Sequence, residues 1–183
     1  MTELDHVIWA VPSLDQAIAA LRRSHGLAAV SGGSHPAWGT RNAIVPLGGA
    51  YLELVEVADP DAPMVGFTAR VAEVAAGGGG LALWCERTDD IGHEAAVRGY
   101  DVVPGTRENP DGSRLSWRVA GMPQACATPL LPFLIQWDDP AAMPGAMAAH
   151  HPWGAIDRVH LDVGPHGPSR LWLHSGDLEQ HLP

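Results

Sequence analysis

At 183 residues, 46% of them hydrophobic, the chain is long enough for one large domain or two small ones with a sizeable core. A formal net charge of -10, from 11 Lys+Arg against 21 Asp+Glu, argues against a nucleic-acid or anionic-membrane surface, because phosphates call for clustered basic side chains, and favours a small-molecule partner. No stretch approaches the ~20 apolar residues that span a bilayer, and the opening MTELDHVIWAVPSLD is acidic where a signal peptide is basic, so a cytoplasmic protein is expected.

LDHVIWAVPSL predicts a strand around Val7 to Val11, closed by Pro12-Ser13, with Ser13 as the N-cap of a helix. In that helix LDQAIAALRRSHG spaces Leu14, Ala17, Ile18 and Leu21 for one face and places Gly26 as C-cap. The loop HPAWGTRN, His35 to Asn42, leads into NAIVPLGG and AYLELVEVAD, two strands joined by a hairpin at Gly48-Gly49. Within that loop Gly39 permits a bend, and alternation sends Thr40 and Asn42 one way and Arg41 the other.

A helix over VGFTARVAEVAAG ends in Gly77 to Gly80, a run that holds no regular element cheaply and marks the best module boundary. Beyond it the order repeats: LALWCERTDD as strand, IGHEAAVRGY as helix, SRLSWRVAG and PFLIQWDD as strands. Laying Trp9 on Trp84 puts His6 on Leu81; laying Gly48 on Gly121 puts Thr40-Arg41-Asn42 on Ser113-Arg114-Leu115, at nearly the same spacing. IDRVHLDVGP echoes the first strand, with Arg158 in the place of His6, and predicts a further strand at a sheet edge. The expectation is a single α+β domain over 1–183, built from modules at 1–76 and 81–140 with an extension at 150–183.

His6 in the first strand and Glu53 in a later strand of the same module offer an imidazole and a carboxylate, a donor pair suited to divalent Zn, Mn, Fe, Co or Ni. Catalytic metal sites usually have three protein ligands, so the second module would have to contribute, and there Leu81 and Gln136 stand at the matching places. Glu53 shares its face with Tyr51 and Val55, while Glu56 faces the other way as a solvated charge. Arg41 and Arg114 occupy matching positions, suited either to recognition of an anion or to local pairing. Seven tryptophans stand against two phenylalanines; Trp38, Trp117, Trp137 and Trp153 fall where they could line a pocket or simply pack a core. His150-His151 before Pro152-Trp153-Gly154 echoes HPAWG and reads as a surface loop or a rim. Cys85 and Cys126 support neither a disulfide scaffold nor a thiolate zinc site.

Taken together, LDHVIWAVPSLDQA, HPAWGTRNAIVPLG, AYLELVEV and PFLIQWDD resemble the glyoxalase-like domain of the vicinal oxygen chelate superfamily. The resemblance implies two βαβββ modules forming a cupped, mostly antiparallel mixed sheet of the glyoxalase, bleomycin-resistance and dioxygenase type, with a C-terminal strand extension. It implies a divalent metal held by strand His and Glu residues, with substrate oxygens chelating its open face. Carried over by position, His6 and Glu53 match the ligands of the first module, Glu53 also serving in catalysis, whereas Leu81 and Gln136 depart from those of the second. His35, Trp38, Thr40, Arg41, Asn42, Arg114, Trp117 and Gln136 are the implied substrate contacts. The expected function is a metal-dependent lyase, isomerase or oxygenase acting on a small oxygen-bearing molecule; the alternative is a metal-free binding protein using the same cup. Members of the superfamily pair, so a homodimer in which His35 or another residue of a second chain completes the shell is also implied.

Overall fold

A computed structural model describes residues 1–108, 114–147, 151 and 155–183. Strand β1 (Glu3–Ala10) leads into helix α1 (Leu14–His25), capped by the Ser13 hydroxyl, which accepts from the Gln16 N–H, and ended by Gly26 in the left-handed conformation. Strands β2 (Val30–His35), β3 (Thr40–Pro46) and β4 (Tyr51–Val57) complete the first half, and helix α2 (Gly66–Ala76) crosses to the second. There β5 (Gly80–Arg87), α3 (Ile91–Arg98), β6 (Val102–Glu108), β7 (Arg114–Ala120), α4 (Met122–Ala127) and β8 (Phe133–Trp137) occur in turn, and β9 (Arg158–Gly164), β10 (Gly167–Ser175) and β11 (Leu178–Leu182) close the chain.

The eight strands β1 to β8 form one sheet in the order β2-β3-β4-β1-β5-β8-β7-β6. In each half the first strand lies at the centre and pairs in parallel with the last strand of its own half, β1 with β4 and β5 with β8. The remaining pairings, including the central β1 with β5, are antiparallel, so the two halves repeat one order of elements within a curled mixed sheet.

Alternation assigns the faces. Val7, Val45, Leu52 and Leu54 pack with Leu14 and Leu21 of α1 on one side. Ile8, Ile44, Tyr51 and Val55 lie on the other, with Phe67 and Val71 of α2 and Ala125 of α4 covering part of that face. The uncovered remainder is the cup.

The residue patterns did not mark β2 and β6, which only the implied βαβββ order called for, nor helix α4. VSGGSH of β2 carries a single β-branched residue and two glycines, and VVPGTRE of β6 is interrupted by Pro104-Gly105; both are edge strands, where such residues are tolerated. The six-residue α4 has too few residues to show a period. The tail also differs from expectation: β9 starts at Arg158, but it pairs with β10, which pairs with β11, as a separate three-stranded sheet. Leu171, Leu173 and Leu182 of that sheet join the core on the α1 side. Among the described residues no helix is long and apolar enough to cross a membrane.

Candidate functional site

β1 supplies two polar groups to the cup where alternation allows one. A register shift against β5 between Leu4 and His6 makes Asp5 a bulge residue, so Asp5 and His6 are both buried, at 1% and 4% exposure. Asp5 Oδ1 lies 2.6 Å from His6 Nδ1, and Asp5 Oδ2 accepts from the Trp137 indole N–H at 2.9 Å. Asp5 thus pairs with the Nδ1 side of the ring and leaves Nε2 turned toward the cup.

That Nε2 faces Glu53 Oε2 at 3.7 Å. The other oxygen of Glu53 accepts from Asn42 Nδ2 at 2.5 Å, and Asn42 Oδ1 in turn accepts from the Gly33 N–H at 2.7 Å. The polar groups therefore run in one line across the cup floor, from the Gly33 backbone through Asn42, Glu53 and His6 to Asp5 and Trp137. Tyr51 stacks on the His6 ring with centroids 4.6 Å apart, and Phe133 meets it edge-on at 5.3 Å, so the imidazole has one orientation. Burial, with the Asp5 and Glu53 charges adding to it, pushes the Tyr51 phenol well above its ordinary range.

Across the β1–β5 pair His6 meets Cys85, not Leu81, which pairs with Trp9. Burial holds the Cys85 thiol protonated well above its ordinary range. One donor atom each from Asp5, His6 and Cys85 lies within 4.8 Å of the others, but both Asp5 oxygens are already engaged, by His6 and by Trp137. Asp5 thus orients a ligand rather than acting as one. His6 Nε2 and Glu53 Oε2 are the donors that a divalent ion fits, because two metal–ligand bonds of about 2.1 Å bridge up to about 4 Å.

The cup brings together His6, His35, Trp38, Asn42, Glu53 and Trp117, with Leu115, Phe133, Ile135 and Trp137 as its apolar wall. Thr40 stands behind this group, its hydroxyl 3.1 Å from His35 Nδ1. Trp38 packs at 5.1 Å on Phe67, and its carbonyl accepts from the Thr68 hydroxyl, which ties the HPAWG turn to α2. A groove of about 380 Å³ along α1 is larger than the cup, but no comparable set of polar groups converges there.

Three expected contacts lie elsewhere. Arg41 is on the α1 face, where Nε and Nη2 reach Glu56 Oε2 at 2.9 and 2.8 Å; the same oxygen accepts from the Leu14 N–H at 3.0 Å, so Glu56 caps α1 and is not simply solvated. The Glu56 hydrogen bond and charge raise the pKa of Arg41 above its ordinary value. Arg114 is exposed at the start of β7. Gln136 points away from the cup, donating to the Asp89 carbonyl and accepting from the Ile91 N–H at the start of α3, so the strand-order match to Glu53 falls instead on apolar cup residues of β8. His151 is buried with Nε2 3.0 Å from the Pro46 carbonyl, while His150, Pro152, Trp153 and Gly154 lie outside the described residues.

Sequence reasoning missed Asp5 and Arg107. Strict alternation would put Asp5 on the face opposite His6, and the signal for it was an acid directly before His6 and the apolar run Val7 to Ala10. Arg107 sits in an unforeseen strand and lines the cup from its far side.

A family model described as a glyoxalase-like domain matches residues 4–173. No curated protein matches the chain. Among solved structures, a hypothetical protein from Staphylococcus aureus is similar at 20% identity and a TM-score of 0.59, over 80% of this chain and 63% of that one, so this chain spans less than two thirds of that protein. A Streptomyces coelicolor methylmalonyl-CoA epimerase variant in complex with 2-nitronate-propionyl-CoA is similar at 25% identity and a TM-score of 0.53, over 78% of this chain and 97% of that one. A methylmalonyl-CoA epimerase in complex with methylmalonyl-CoA and NH4+ gives the same four values.

Proposed function

This chain belongs to the glyoxalase-like domain family of the vicinal oxygen chelate superfamily, and on that premise we propose that it is an isomerase or lyase that moves a proton on a small oxygen-bearing organic molecule held in the cup. The observation that carries this reading is the approach of His6 Nε2 to Glu53 Oε2 at 3.7 Å, with Asp5 fixing the other ring nitrogen and Asn42 the other carboxylate oxygen. A nitrogen lone pair set against a carboxylate oxygen in a buried site is repulsive until a cation lies between them, either a proton or a divalent ion.

His6 and Glu53 would hold such an ion, and when bound it would supply Lewis-acid polarisation of a substrate oxygen. The chain's own groups do the rest. Asn42 stops the Glu53 carboxylate from rotating, so Oε2 is the oxygen presented to a substrate proton next to a carbonyl or similar group. Glu53 Oε2 accepts that proton and returns it when no ion engages the same oxygen, while Asp5 holds the His6 ring from its other side. Leu115, Phe133, Ile135 and Trp137 keep water from the developing charge. The epimerases of similar fold act on a CoA ester. The cup of this chain encloses a volume of about 90 Å³.

Purified protein is expected to take up a divalent ion, and His6→Ala and Glu53→Ala each to abolish that uptake while the circular dichroism of the fold is kept. Undiminished metal stoichiometry in both variants would remove the pair from the site. A second reading, a metal-free binding protein, is favoured by the apolar second half of the cup and by Gln136 turning away from it. It predicts tryptophan quenching by small oxygenated metabolites that a chelator leaves unchanged.

A further inference from the structure

Trp38 lines the cup together with His6 and Glu53, yet 43% of it stays open to solvent, whereas Phe133, Ile135 and Trp137 of the same cup are buried. It therefore stands at the mouth. A ring left in water by itself would turn freely, but this one is held from several sides.

Pro36 presets the backbone of the turn, which the Trp38 N–H closes on the His35 carbonyl at 3.0 Å and the Gly39 N–H on the Pro36 carbonyl at 3.3 Å. Gly39, at φ 62, runs so close to Asp59 and Ala62 that a side chain there would collide with both, and its carbonyl accepts from the Ala58 and Asp59 N–H groups at 2.8 and 3.0 Å. With the Thr68 hydroxyl on the Trp38 carbonyl at 2.8 Å, the backbone around the ring is clamped to residues 58–62 and to α2. Phe67 and His35 brace the indole at centroid distances of 5.1 and 5.6 Å, tilted by 49° and 55°. Among the described residues no ring lies flat on the indole, so a flat aromatic face is fixed in place and left uncovered. Such a surface binds at low cost, because neither backbone nor rotamer has to be ordered when a ligand arrives.

We propose that the HPAWG turn is a stacking platform, and that the ligand is an oxygen-bearing compound with a planar ring, the ring lying on Trp38 and the oxygens reaching toward the His6–Glu53 pair. This rests on the cup being the functional site and adds the substrate class. Offset stacking of an aryl ring on an indole gains more than burial of a saturated ring of the same size, so flatness is what the platform selects.

The test is titration of the full chain, with chelator present, by two neutral hydroxyketones with the same oxygen-bearing end, 2-hydroxyacetophenone and its cyclohexyl counterpart. Calorimetry gives the affinities, and the Trp38 indole N–H resonance, assigned by its loss in Trp38→Phe, reports the place of binding. The aryl ketone is expected to shift that resonance and to bind roughly three- to tenfold more tightly than the cyclohexyl one, the gain of stacking beyond area burial. Trp38→Leu should abolish the preference while both ketones still bind, and Trp38→Phe should retain part of it. Equal affinities, no binding of the aryl ketone, an unmoved Trp38 resonance, a preference that survives in Trp38→Leu, or loss of both ketones in that variant would each overturn the platform. Metal uptake by the unaltered chain and its loss in His6→Ala are measured separately, so failure of the platform and failure of the proposed site are distinguishable.

Discussion

Gly32→Ala is the sharpest probe of the polar line across the cup. Gly32 is the bulge residue of β2 against β3, its backbone lies outside the left-handed region, and a Cβ added there would stand 2.0 Å from Asn42 Oδ1 and 2.7 Å from Asn42 Cγ. The methyl group therefore acts through one neighbour, driving the Asn42 amide out of place and pressing more lightly on the Asn42 carbonyl oxygen at 3.0 Å. Two hydrogen bonds go with it, Gly33 N–H to Oδ1 and Nδ2 to Glu53 Oε1, and each leaves a partly buried group without that partner. At about 1 kcal/mol for each bond and a further 1–3 kcal/mol for a stranded buried group, the cost is about 3–5 kcal/mol by urea unfolding. If Glu53 holds a metal, releasing its carboxylate should also weaken metal affinity about 10- to 100-fold, the usual effect of losing an outer partner. Asn42→Ala should cost a similar amount, and in the double variant the added methyl has no amide to displace, so the two costs should fall short of adding by about 1–3 kcal/mol. Additive costs, or ordinary stability of Gly32→Ala, would refute the reasoning that Gly32 is there to make room for Asn42.

The other expectations are simpler. Trp137→Phe removes the donor to Asp5 Oδ2 but keeps most of the apolar wall; it should destabilise by about 1–2 kcal/mol and lower metal affinity by isothermal titration, whereas unchanged affinity would separate Asp5 from the site. Burial raises the Cys85 thiol and the Tyr51 phenol well above their ordinary 9.0 and 10.0, so both stay neutral in the folded chain. Their contribution is complete below about pH 9 and is lost above it, because the unfolded chain releases protons that the folded chain keeps, with a slope of about 1.4 kcal/mol per pH unit for each group. Urea midpoints should fall across the alkaline range and Cys85→Ala should flatten the first part of the fall; midpoints indifferent to pH there would contradict the burial of both groups.

What could be read from the sequence divides along physical lines. α1 was legible with its Ser13 and Gly26 caps, and so were β3 and β4, because capping and alternation are local signals. His6 and Glu53 were named as a donor pair, alternation set Asn42 apart from Arg41 and Glu53 apart from Glu56, and the structure brings His6, Asn42 and Glu53 together. Asp5 was lost where a single bulge broke the period of two, and β6, with Arg107, where Pro104 and Gly105 hid a strand whose partners lie far along the chain. The laying of Trp9 on Trp84 fixed the order of the halves but not the register, which depends on shifts in the β1–β5 pairing that leave no mark in the local sequence.

The same register explains why the two halves of a duplicated sheet are not interchangeable. In a duplicated sheet both halves have an equal chance of carrying ligands, yet here Asp5, His6, His35, Asn42 and Glu53 all come from the first half. The second half contributes Leu115, Trp117, Phe133, Ile135 and Trp137, and its polar Gln136 is committed to the start of α3. Such a division is effective because a carboxylate–imidazole pair interacts more strongly when one wall of its site is apolar than when water or further charges surround it. A second set of acids on β8 would hold a metal more firmly but would also repel an anionic ligand from a floor that already carries Asp5 and Glu53. The apolar half thus sets the conditions under which a site with so few polar groups works.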